Sequence, residues 1–435
     1  MSSLDLTVRL ATSLSALAPD DWNACANPFS RNNINRISPK SEVLPDVADG
    51  RCGDCNVVNE LSATDPRPSL AKSSEKDEED TYNPFISHEF LNSLEQSGSV
   101  GRGTGWMSAH LFVQDAGRLV ATAPCYLKGH SQGEYVFDHG WADAFERAGG
   151  SYYPKLQVAA PFSPVTGRRL LMRADAGPDV RPALVSGLGA ACRQLEASSV
   201  HVTFPTRSDW DALGAAGYLQ RTGQQFHWMN EGYGSFDDFL AALASRKRKA
   251  IRKERSEALA AGVEIVPLTG SDLREEHWDA FFDFYMDTGS RKWGRPYLTR
   301  TFFSHLGQSM PDRVLLMMAR RNGRWIAGAL NLIGDHALYG RNWGAIEHHP
   351  FLHFELCYYQ AIDWAIRHGL RRVEAGAQGE HKLARGYRPV PTYSAHHFDD
   401  PRMRRAVAEF LAHERRHMDE TIALYEEHAP FRKVD

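Results

Sequence analysis

The chain has 435 residues, of which 42% are hydrophobic and 24% charged, and its formal net charge is −4. This composition is typical of a globular protein with two or three domains. The slightly acidic balance excludes a general electrostatic attraction to nucleic acid or to an anionic membrane. No apolar run reaches the roughly 18 residues that a membrane-spanning helix needs.

The N-terminus and the cysteines predict a cytoplasmic protein. The first residues, MSSLDLTVRLATSLSALAPDDW, lack the charged region and the cleavage site of a secretory signal. The six cysteines are scattered, which suits a reducing compartment. Cys52 and Cys55 form a CxxC pair with no second pair at metal-binding spacing, and His348, His349 and His353 belong to no HExxH motif. We therefore predict no metal site.

A polar segment interrupts the N-terminal part of the chain. From residue 30 to residue 80 the sequence has many Ser, Asp and Glu residues, few aromatic residues and no hydrophobic periodicity. Such a segment cannot bury enough apolar surface to fold, so we expect a disordered insert. Residues 1–29 then supply the first strand and helix of a domain that resumes at residue 81.

An internal repeat follows the insert. LFVQDAGRLVATAPCYL (111–127) and LMMARRNGRWIAGALNLI (316–333) each have the pattern of a strand, a tight turn and a second strand. Asn322-Gly323 is typical of a two-residue hairpin turn, because both residues tolerate positive φ. In both halves a third strand (135–141 and 339–345), a helix (179–195 and 352–368) and a short strand follow in the same order.

This repeat predicts the fold class. Strands and helices alternate in both halves, so we expect an α/β (α+β) chain with two tandem domains over residues 81–232 and 233–435. Their mixed, mostly antiparallel sheets would be flanked by helices.

A strongly basic helix is predicted between the halves, over residues 236–261. From residue 246 to residue 255, seven side chains are basic and one is acidic. One interpretation is a solvated helix face, and the other is a surface for a phosphate-rich donor such as coenzyme A or tRNA. In the second, Arg248 and Arg252 would contact the phosphates. Since the run lacks aromatic residues, base-specific recognition is poorly supported, and DNA is not predicted as a partner.

The best candidate site is the string GAQGEHKLARGY (376–387). It follows the predicted strand RRVEA, and open α/β sheets bind ligands at the carboxyl ends of their strands. Gly376 and Gly379 would allow the backbone to approach a ligand closely. A polar turn that only faces water is the alternative. The string contains five candidate polar side chains: Gln378, Glu380, His381, Lys382 and Arg385.

These residues carry a resemblance to a known family. HFELCYYQAIDWAIRHGLRRVEAGAQGEHKLARGY, together with NPFISHEFLNSLEQSGSVG, PFSPVTGRRLL and RKWGRPYL, resembles the FemAB-like proteins. These are predicted N-acyltransferases, similar to the Fem-type peptidoglycan aminoacyltransferases of the GNAT superfamily. The resemblance implies two tandem GNAT-like acyltransferase domains. It also implies a lysine at the border of the acceptor site, which by position is Lys382.

The resemblance leaves the donor open. Neither half contains the Q/RxxGxG/A loop that marks coenzyme A binding in GNAT enzymes, and the long helical arm of Fem proteins is missing. We therefore predict no tightly bound cofactor, and acyl-CoA or aminoacyl-tRNA as the co-substrate. The predicted acceptor is an amine of a small molecule or of a peptidoglycan precursor, with tRNA as a further partner.

The predicted reaction is direct attack of a neutral amine on an activated carbonyl in a ternary complex. Such a site must accept a proton and stabilise an oxyanion. Glu380 or Glu374 is the candidate base, Lys382 and Arg385 would bind negative charge, and His381 suits either task. Arg248, Arg252, Gly376 and Gly379 are the candidate donor-binding residues. The candidate substrate-binding residues are Gln378, Arg385, Tyr387, Asn342, Glu355, Tyr358, Asp138, His139, Tyr152, Arg168 and Trp293.

Two other functions stay open. One is a non-catalytic module that recognises cell-wall precursors, and the other is an RNA-associated protein that uses the basic helix. The first half has VTFPTRSDW at the place that corresponds to GAQGEHKLARGY, without the Glu-His-Lys cluster. We therefore expect a single active site, built mainly from the second half.

Overall fold

The computed structural model describes residues 6–28, 81–292, 296–376 and 379–432. The predicted insert with its CxxC pair, Trp293 and Gln378 lie outside these residues, and only the backbone of Glu380 is described. Within the described ranges, no helix is long and apolar enough to cross a membrane. No group of three His, Cys, Asp or Glu side chains in the same ranges could hold a metal ion.

Strands and helices alternate along most of the chain. The strands are β1 (Leu6–Ala11), β2 (Trp106–Ser108), β3 (His110–Asp115), β4 (Arg118–Ala123), β5 (Cys125–Lys128), β6 (Lys155–Val158), β7 (Leu171–Met172), β8 (Ser199–Thr203), β9 (Leu219–Met229), β10 (Val263–Leu268), β11 (Val314–Arg321), β12 (Arg324–Ile333), β13 (Ala337–Ala345), β14 (Arg372–Glu374) and β15 (Arg388–Phe398). The helices of the first half are α1 (Pro19–Ala26), α2 (His88–Gln96), α3 (His139–Arg147), α4 (Val180–Gln194) and α5 (Arg207–Ala215). Those of the second half are α6 (Phe236–Ala242), α7 (Ser245–Leu259), α8 (Glu275–Lys292), α9 (Arg300–Ser309), α10 (352–367, with a π turn at Glu355–Tyr359) and α11 (Pro401–Glu427).

The strands form two sheets. A four-stranded sheet has the order β1-β3-β4-β7, and an eleven-stranded sheet has the order β10-β11-β12-β13-β14-β9-β15-β8-β6-β5-β2. Most neighbours are antiparallel, and the described strands contain two parallel pairs, β6–β8 and β13–β14. The predicted fold class is confirmed: the sheets are mixed and mostly antiparallel, and helices flank them.

The two predicted hairpin turns form as expected. Ala116 and Gly117 have φ values of 47° and 83°, and Asn322 and Gly323 have values of 52° and 76°. Both central residues of each turn therefore adopt the left-handed conformation that two-residue hairpins require. The register pairs Asp115 with Arg118 in the first hairpin.

Strand β9 joins the two halves. It belongs to the first half by sequence, yet it lies between β14 and β15 of the second half and pairs with both. Strand β15 in turn pairs with β8 of the first half. One apolar core also contains Trp22 and Phe85 from the first half with Phe281 and Phe303 from the second. The predicted domain limits at 232 and 233 stay a prediction, but a single sheet crosses them.

Two predicted elements are wrong. Residues 135–141 were expected to form a strand, but Tyr135 has a φ of 60° and α3 begins at His139. Positive φ at a tyrosine breaks an extended strand. The expected helix over 236–261 is split between α6 and α7, because Leu243 is extended and bridges to Phe431. The C-terminal tail therefore occupies the break, where Ala244 donates its N–H to the carbonyl of Pro430.

Candidate functional site

The parallel pair β13–β14 separates early and leaves a gap in the sheet. Only Ala337, Leu338 and Tyr339 pair with Arg372, Val373 and Glu374. Strand β13 then continues to Ala345, whereas the other strand ends at Glu374 and the chain turns at Gly376, with φ 79°. The predicted string GAQGEHKLARGY therefore begins where the two strands part, which we call the β13–β14 gap.

Glycines shape the turn that lines this gap. Residues Glu380–Arg385 form a short 3-10 helix between Gly379 and Gly386, which have φ values of 119° and 85°. A Cβ on Gly379 would lie 2.5 Å from the His381 ring, and one on Gly386 would lie 2.7 Å from the Phe239 ring. A larger residue at either position would meet both backbone strain and a steric clash.

Lys382, like Arg385, is a buried charged side chain of the turn. It is 1% exposed, and its Nζ donates a hydrogen bond of 2.7 Å to the carbonyl of Gly376. The pKa of Lys382 is lowered to about 7, mainly by burial; Cys357 opposes this shift, and Arg341 adds a smaller lowering effect. Both the ammonium and the neutral amine are therefore populated near pH 7.

His381 and two tyrosines lie beside Lys382. The exposed His381 shares a hydrogen bond of 2.8 Å between its Nε2 and the hydroxyl of the buried Tyr358. Burial lowers the pKa of His381, and the neighbouring Arg385 and Lys382 lower it further, so the ring is neutral at pH 7. Tyr387 is buried and packs edge-on against Tyr358 at 5.6 Å.

Glu374 is the last residue of β14, where the gap begins. It is 2% exposed, and its Oε1 lies 2.9 Å from the Nη2 of Arg372. Its Oε2 lies 3.8 Å from the Nε2 of His227 on β9. Burial holds the pKa of His227 well below its ordinary value, and Arg372 and Lys382 add to this effect. The carboxylate thus lies beside the Arg372 guanidinium and the neutral His227 imidazole.

Two partly buried ion pairs tie helix α7 to the turn and to α10. Glu254 accepts hydrogen bonds of 2.9 and 3.1 Å from the Nη2 of Arg385, which also lies over the Phe354 ring at 3.5 Å. Arg255 pairs with the buried Glu355 at 3.0 Å. Arg385 and Glu355, both predicted to bind substrate, therefore anchor α7 to the turn and to α10.

Helix α7 carries further basic side chains toward solvent. Arg252 forms an exposed ion pair with Asp237, and Arg248 is half-buried one turn earlier. Helix α7 contacts both the turn and the start of α10.

The first-half candidates lie elsewhere. Asp138 and Tyr152 are buried together, with the Tyr152 hydroxyl donating to Asp138 at 2.7 Å. Lys155 donates to Ser131, to Glu134 at 2.7 Å and to Asp138. His139 is exposed beside Phe137. We call Lys155 and its two carboxylate partners, Glu134 and Asp138, the Lys155 cluster.

The remaining two candidates lie near the junction of the halves. Asn342, on β13 beyond the paired residues, lines a small cavity with Arg341 and Phe162. Arg168 donates from its Nη2 to the carbonyls of Cys25 at 3.1 Å and Ala26 at 2.6 Å. It lines a second cavity with His227 and Arg372.

The first half is built differently at its own parallel pair of strands. Its parallel pair β6–β8 is followed by a segment that the buried Arg169 ties to the end of β8. The guanidinium donates to the carbonyls of Val165, Gly167 and Thr203, and Asp209 accepts from the N–H of Arg169. The two halves therefore differ at this position.

Sequence reasoning missed Arg372, His227 and Arg341. Arg372 and Glu374 alternate along RRVEA, so both side chains reach the same face of a strand. This alternation could have identified Arg372 as a neighbour of Glu374. His227 comes from the first half, and nothing in its neighbourhood QFHW indicates that β9 inserts beside β14.

The sequence comparison identifies the family. The chain belongs to the FemAB-like family, described as peptidoglycan biosynthesis/recognition, whose sequence profile matches residues 69–433. No curated protein sequence matches the chain.

The solved structures that are similar to this chain include the following three. FemX is 11% identical with a TM-score of 0.48, covering 74% of this chain and 96% of its own. The C-terminal domain of a putative lysylphosphatidylglycerol synthetase from Agrobacterium fabrum is 10% identical with a TM-score of 0.46, covering 74% and 90%. A tandem GNAT protein from the clavulanic acid biosynthesis pathway is 11% identical with a TM-score of 0.42, covering 91% and 99%.

Proposed function

We propose that the protein is an N-acyltransferase that moves an acyl or aminoacyl group to an amine of a peptidoglycan precursor. The reaction would take place in the β13–β14 gap. The observation that carries this proposal is Lys382, a buried lysine whose Nζ donates to the Gly376 carbonyl in the gap. Family membership supports the link to peptidoglycan.

The proposed chemistry needs no covalent enzyme intermediate. The neutral amine of the acceptor attacks the activated carbonyl carbon, a C–N bond forms, and the carbonyl oxygen becomes an oxyanion. Lys382 in its ammonium form stabilises that oxyanion. His381, neutral near pH 7, or Glu374 accepts the amine proton. The bond to the donor oxygen or sulfur then breaks, and the leaving group takes up a proton.

The donor would bind along the exposed face of α7. Arg248 and Arg252 lie on this face, and a cationic surface beside the gap suits the phosphates of coenzyme A or of an aminoacyl-tRNA. Arg385 acts as a positioning residue in this proposal, because Glu254 already occupies its guanidinium.

A second candidate function is recognition of a peptidoglycan precursor without catalysis. It is favoured by the description of the family, which includes recognition as well as biosynthesis. The two candidates differ in one result, because a recognition module would bind the precursor and leave its mass unchanged.

A transfer assay tests the proposal. The protein is incubated with a lysine-containing peptidoglycan stem peptide and either a set of short acyl-CoAs or a charged tRNA pool. We expect mass spectrometry to find the stem peptide heavier by one acyl or aminoacyl group. Lys382→Met should slow this transfer by about 10²–10³-fold, the loss typical of one oxyanion donor.

Lys128→Met is the matched control. Lys128 is also buried, burial also lowers its pKa to about 7, and its Nζ lies 3.6 Å from the Trp106 ring in the first half. Folded Lys128→Met should keep its transfer rate. Transfer by Lys382→Met at the wild-type rate would refute the assignment.

A further inference from the structure

Arg341 and Asn342 are consecutive residues of β13, and both line the same small cavity. In a regular strand the side chains of consecutive residues point to opposite faces. Between Gly340 and Trp343, however, the register with β12 shifts, so that two residues of β13 oppose one residue of β12. Such a β-bulge redirects side chains and often lies beside a functional site. The bulge thus explains how two neighbouring polar side chains reach one cavity.

This bulge lies at the β13–β14 gap. The pairing of the two strands ends with Tyr339 and Glu374, and a Cβ on Gly340 would lie 3.4 Å from the carbonyl oxygen of Glu374. Arg341 follows directly, and its charge contributes to the lowered pKa of Lys382. Arg341 therefore lies near the lysine that the proposed reaction uses.

Both polar side chains are available to a ligand. Each residue is partly exposed, and none of their side-chain nitrogen or oxygen atoms is both buried and without a partner. The Nη2 of Arg341 donates a hydrogen bond of 2.5 Å to the carbonyl of Phe162, the Tyr135 hydroxyl lies nearby, and no described carboxylate forms an ion pair with this guanidinium. The Asn342 amide forms no hydrogen bond with a described residue. The remaining N–H groups of the guanidinium and both ends of the amide can therefore bind a ligand.

Aromatic rings hold the guanidinium in place. The guanidinium carbon of Arg341 lies 5.8 Å from the centre of the Phe85 ring and 5.7 Å from that of the Tyr135 ring. Tyr135 and Phe162 have positive φ values of 60° and 56°. This conformation costs an aromatic residue about 1–3 kcal/mol, and such strain is concentrated at ligand sites. Tyr135 is 36% exposed, so the cluster reaches the surface.

We infer that Arg341 and Asn342 bind a carboxylate of the amine acceptor. A guanidinium and a carboxylate form paired hydrogen bonds, and the amide can donate to the same oxygens. The cavity of about 20 Å³ has room for little more than one water molecule, so a small group rather than a bulky one would enter it. The inference rests on the proposed function, because it assigns both residues to the acceptor of that reaction. Held in this way, the acceptor would stay beside Lys382 for the transfer.

Binding of two peptides tests this inference without requiring transfer. The full chain is titrated by isothermal calorimetry with the lysine-containing stem peptide and with the same peptide in which every carboxyl group is a carboxamide. We expect the wild type to bind the carboxamide peptide at least about tenfold more weakly, the scale of one charge-assisted hydrogen bond. Arg341→Gln should weaken binding of the carboxylate peptide by a similar factor and leave binding of the carboxamide peptide unchanged.

Arg320→Gln is the matched control. Arg320 also belongs to a strand, and its guanidinium carbon lies 6.0 Å from the centre of the Trp325 ring, but it pairs with Glu264 and does not line the cavity. This variant should bind both peptides as the wild type does. Asn342→Asp keeps the test valid if Arg341→Gln does not fold. The added carboxylate should repel the carboxylate peptide and leave binding of the carboxamide peptide unchanged.

The outcomes separate this inference from the proposed function. Equal binding of the two peptides by the wild type, binding of neither, equal losses for both peptides in the folded Arg341→Gln or Asn342→Asp variants, or the same loss in Arg320→Gln would each overturn the inference. Discrimination between the peptides that depends on Arg341, without any change in peptide mass in the transfer assay, would support the carboxylate site and refute the transfer.

Discussion

Two buried lysines, Lys155 in the first half and Lys382 in the second, have pKa values that are shifted in opposite directions. Lys155 donates to Glu134 and Asp138. Burial alone would lower the pKa of Lys155, but the two carboxylates outweigh it and raise this pKa. Lys382 has a carbonyl as its acceptor, and the described ion pairs give it no carboxylate, so burial lowers its pKa to about 7.

The difference separates a structural lysine from a candidate functional one. An ammonium between two carboxylates stays charged and holds the surrounding elements together. A buried lysine without a carboxylate destabilises the fold, and such residues cluster at functional sites. The comparison therefore predicts opposite stability effects for the same substitution.

The largest expected effect is on the Lys155 cluster. Lys155→Met leaves Glu134 and Asp138 buried without their main cation, so the free energy of unfolding should fall by about 3–5 kcal/mol. Urea denaturation followed by circular dichroism measures it. A loss below about 1 kcal/mol would show that the cluster is not an essential ionic network.

Lys382→Met should instead stabilise the protein in a pH-dependent way. An unfolded lysine has a pKa near 10.4, whereas folded Lys382 titrates at about 7. Between these values the unfolded chain binds a proton that the folded chain does not, so wild-type stability rises with pH. The advantage of Lys382→Met should therefore be largest at pH 7 and below.

This advantage should shrink by about 2 kcal/mol between pH 7 and pH 9, since one proton contributes at most about 1.4 kcal/mol per pH unit. Urea unfolding of both proteins at the two pH values measures it. Lys128 titrates in both proteins, so its effect cancels in the difference. A difference that does not change with pH would mean that Lys382 stays charged.

The smallest expected effect concerns the ion pair that holds the turn near Lys382. Glu254→Gln weakens the bonds to Arg385 and should lower the free energy of unfolding by about 1–3 kcal/mol. Glu257→Gln is the control, because Glu257 is 42% exposed and pairs with Lys253 at 3.5 Å. The free energy of unfolding of that variant should stay within about 0.5 kcal/mol of the wild-type value. Equal losses in the two variants would refute the anchoring role of α7.

Local patterns in the sequence predicted the hairpins, α4, α10 and the position of GAQGEHKLARGY at the end of a strand. These depend on turn chemistry and on hydrophobic period, which act over a few residues. The same patterns could not reveal the partners of Asp138 and Glu355. Each is bound by a basic residue on another element, Lys155 and Arg255, and such pairing depends on tertiary contacts.

The predicted strand at 135–141 shows the same limit. It begins with the apolar run Tyr135-Val136-Phe137, but Glu134 and Asp138 on either side of this run both pair with Lys155, and the chain takes positive φ at Tyr135. The two ion pairs thus prevail over a weak strand pattern.

The insertion of β9 between β14 and β15 has a consequence for how the chain is made. The centre of the large sheet joins strands that end at residues 229, 374 and 398. During synthesis, β8 and β9 leave the ribosome long before their shared neighbour β15 exists, and their unpaired edges can pair with other chains. Shortening the chain before residue 398 would expose the same edges in the finished protein. The two halves, although they repeat a pattern, can be completed only together.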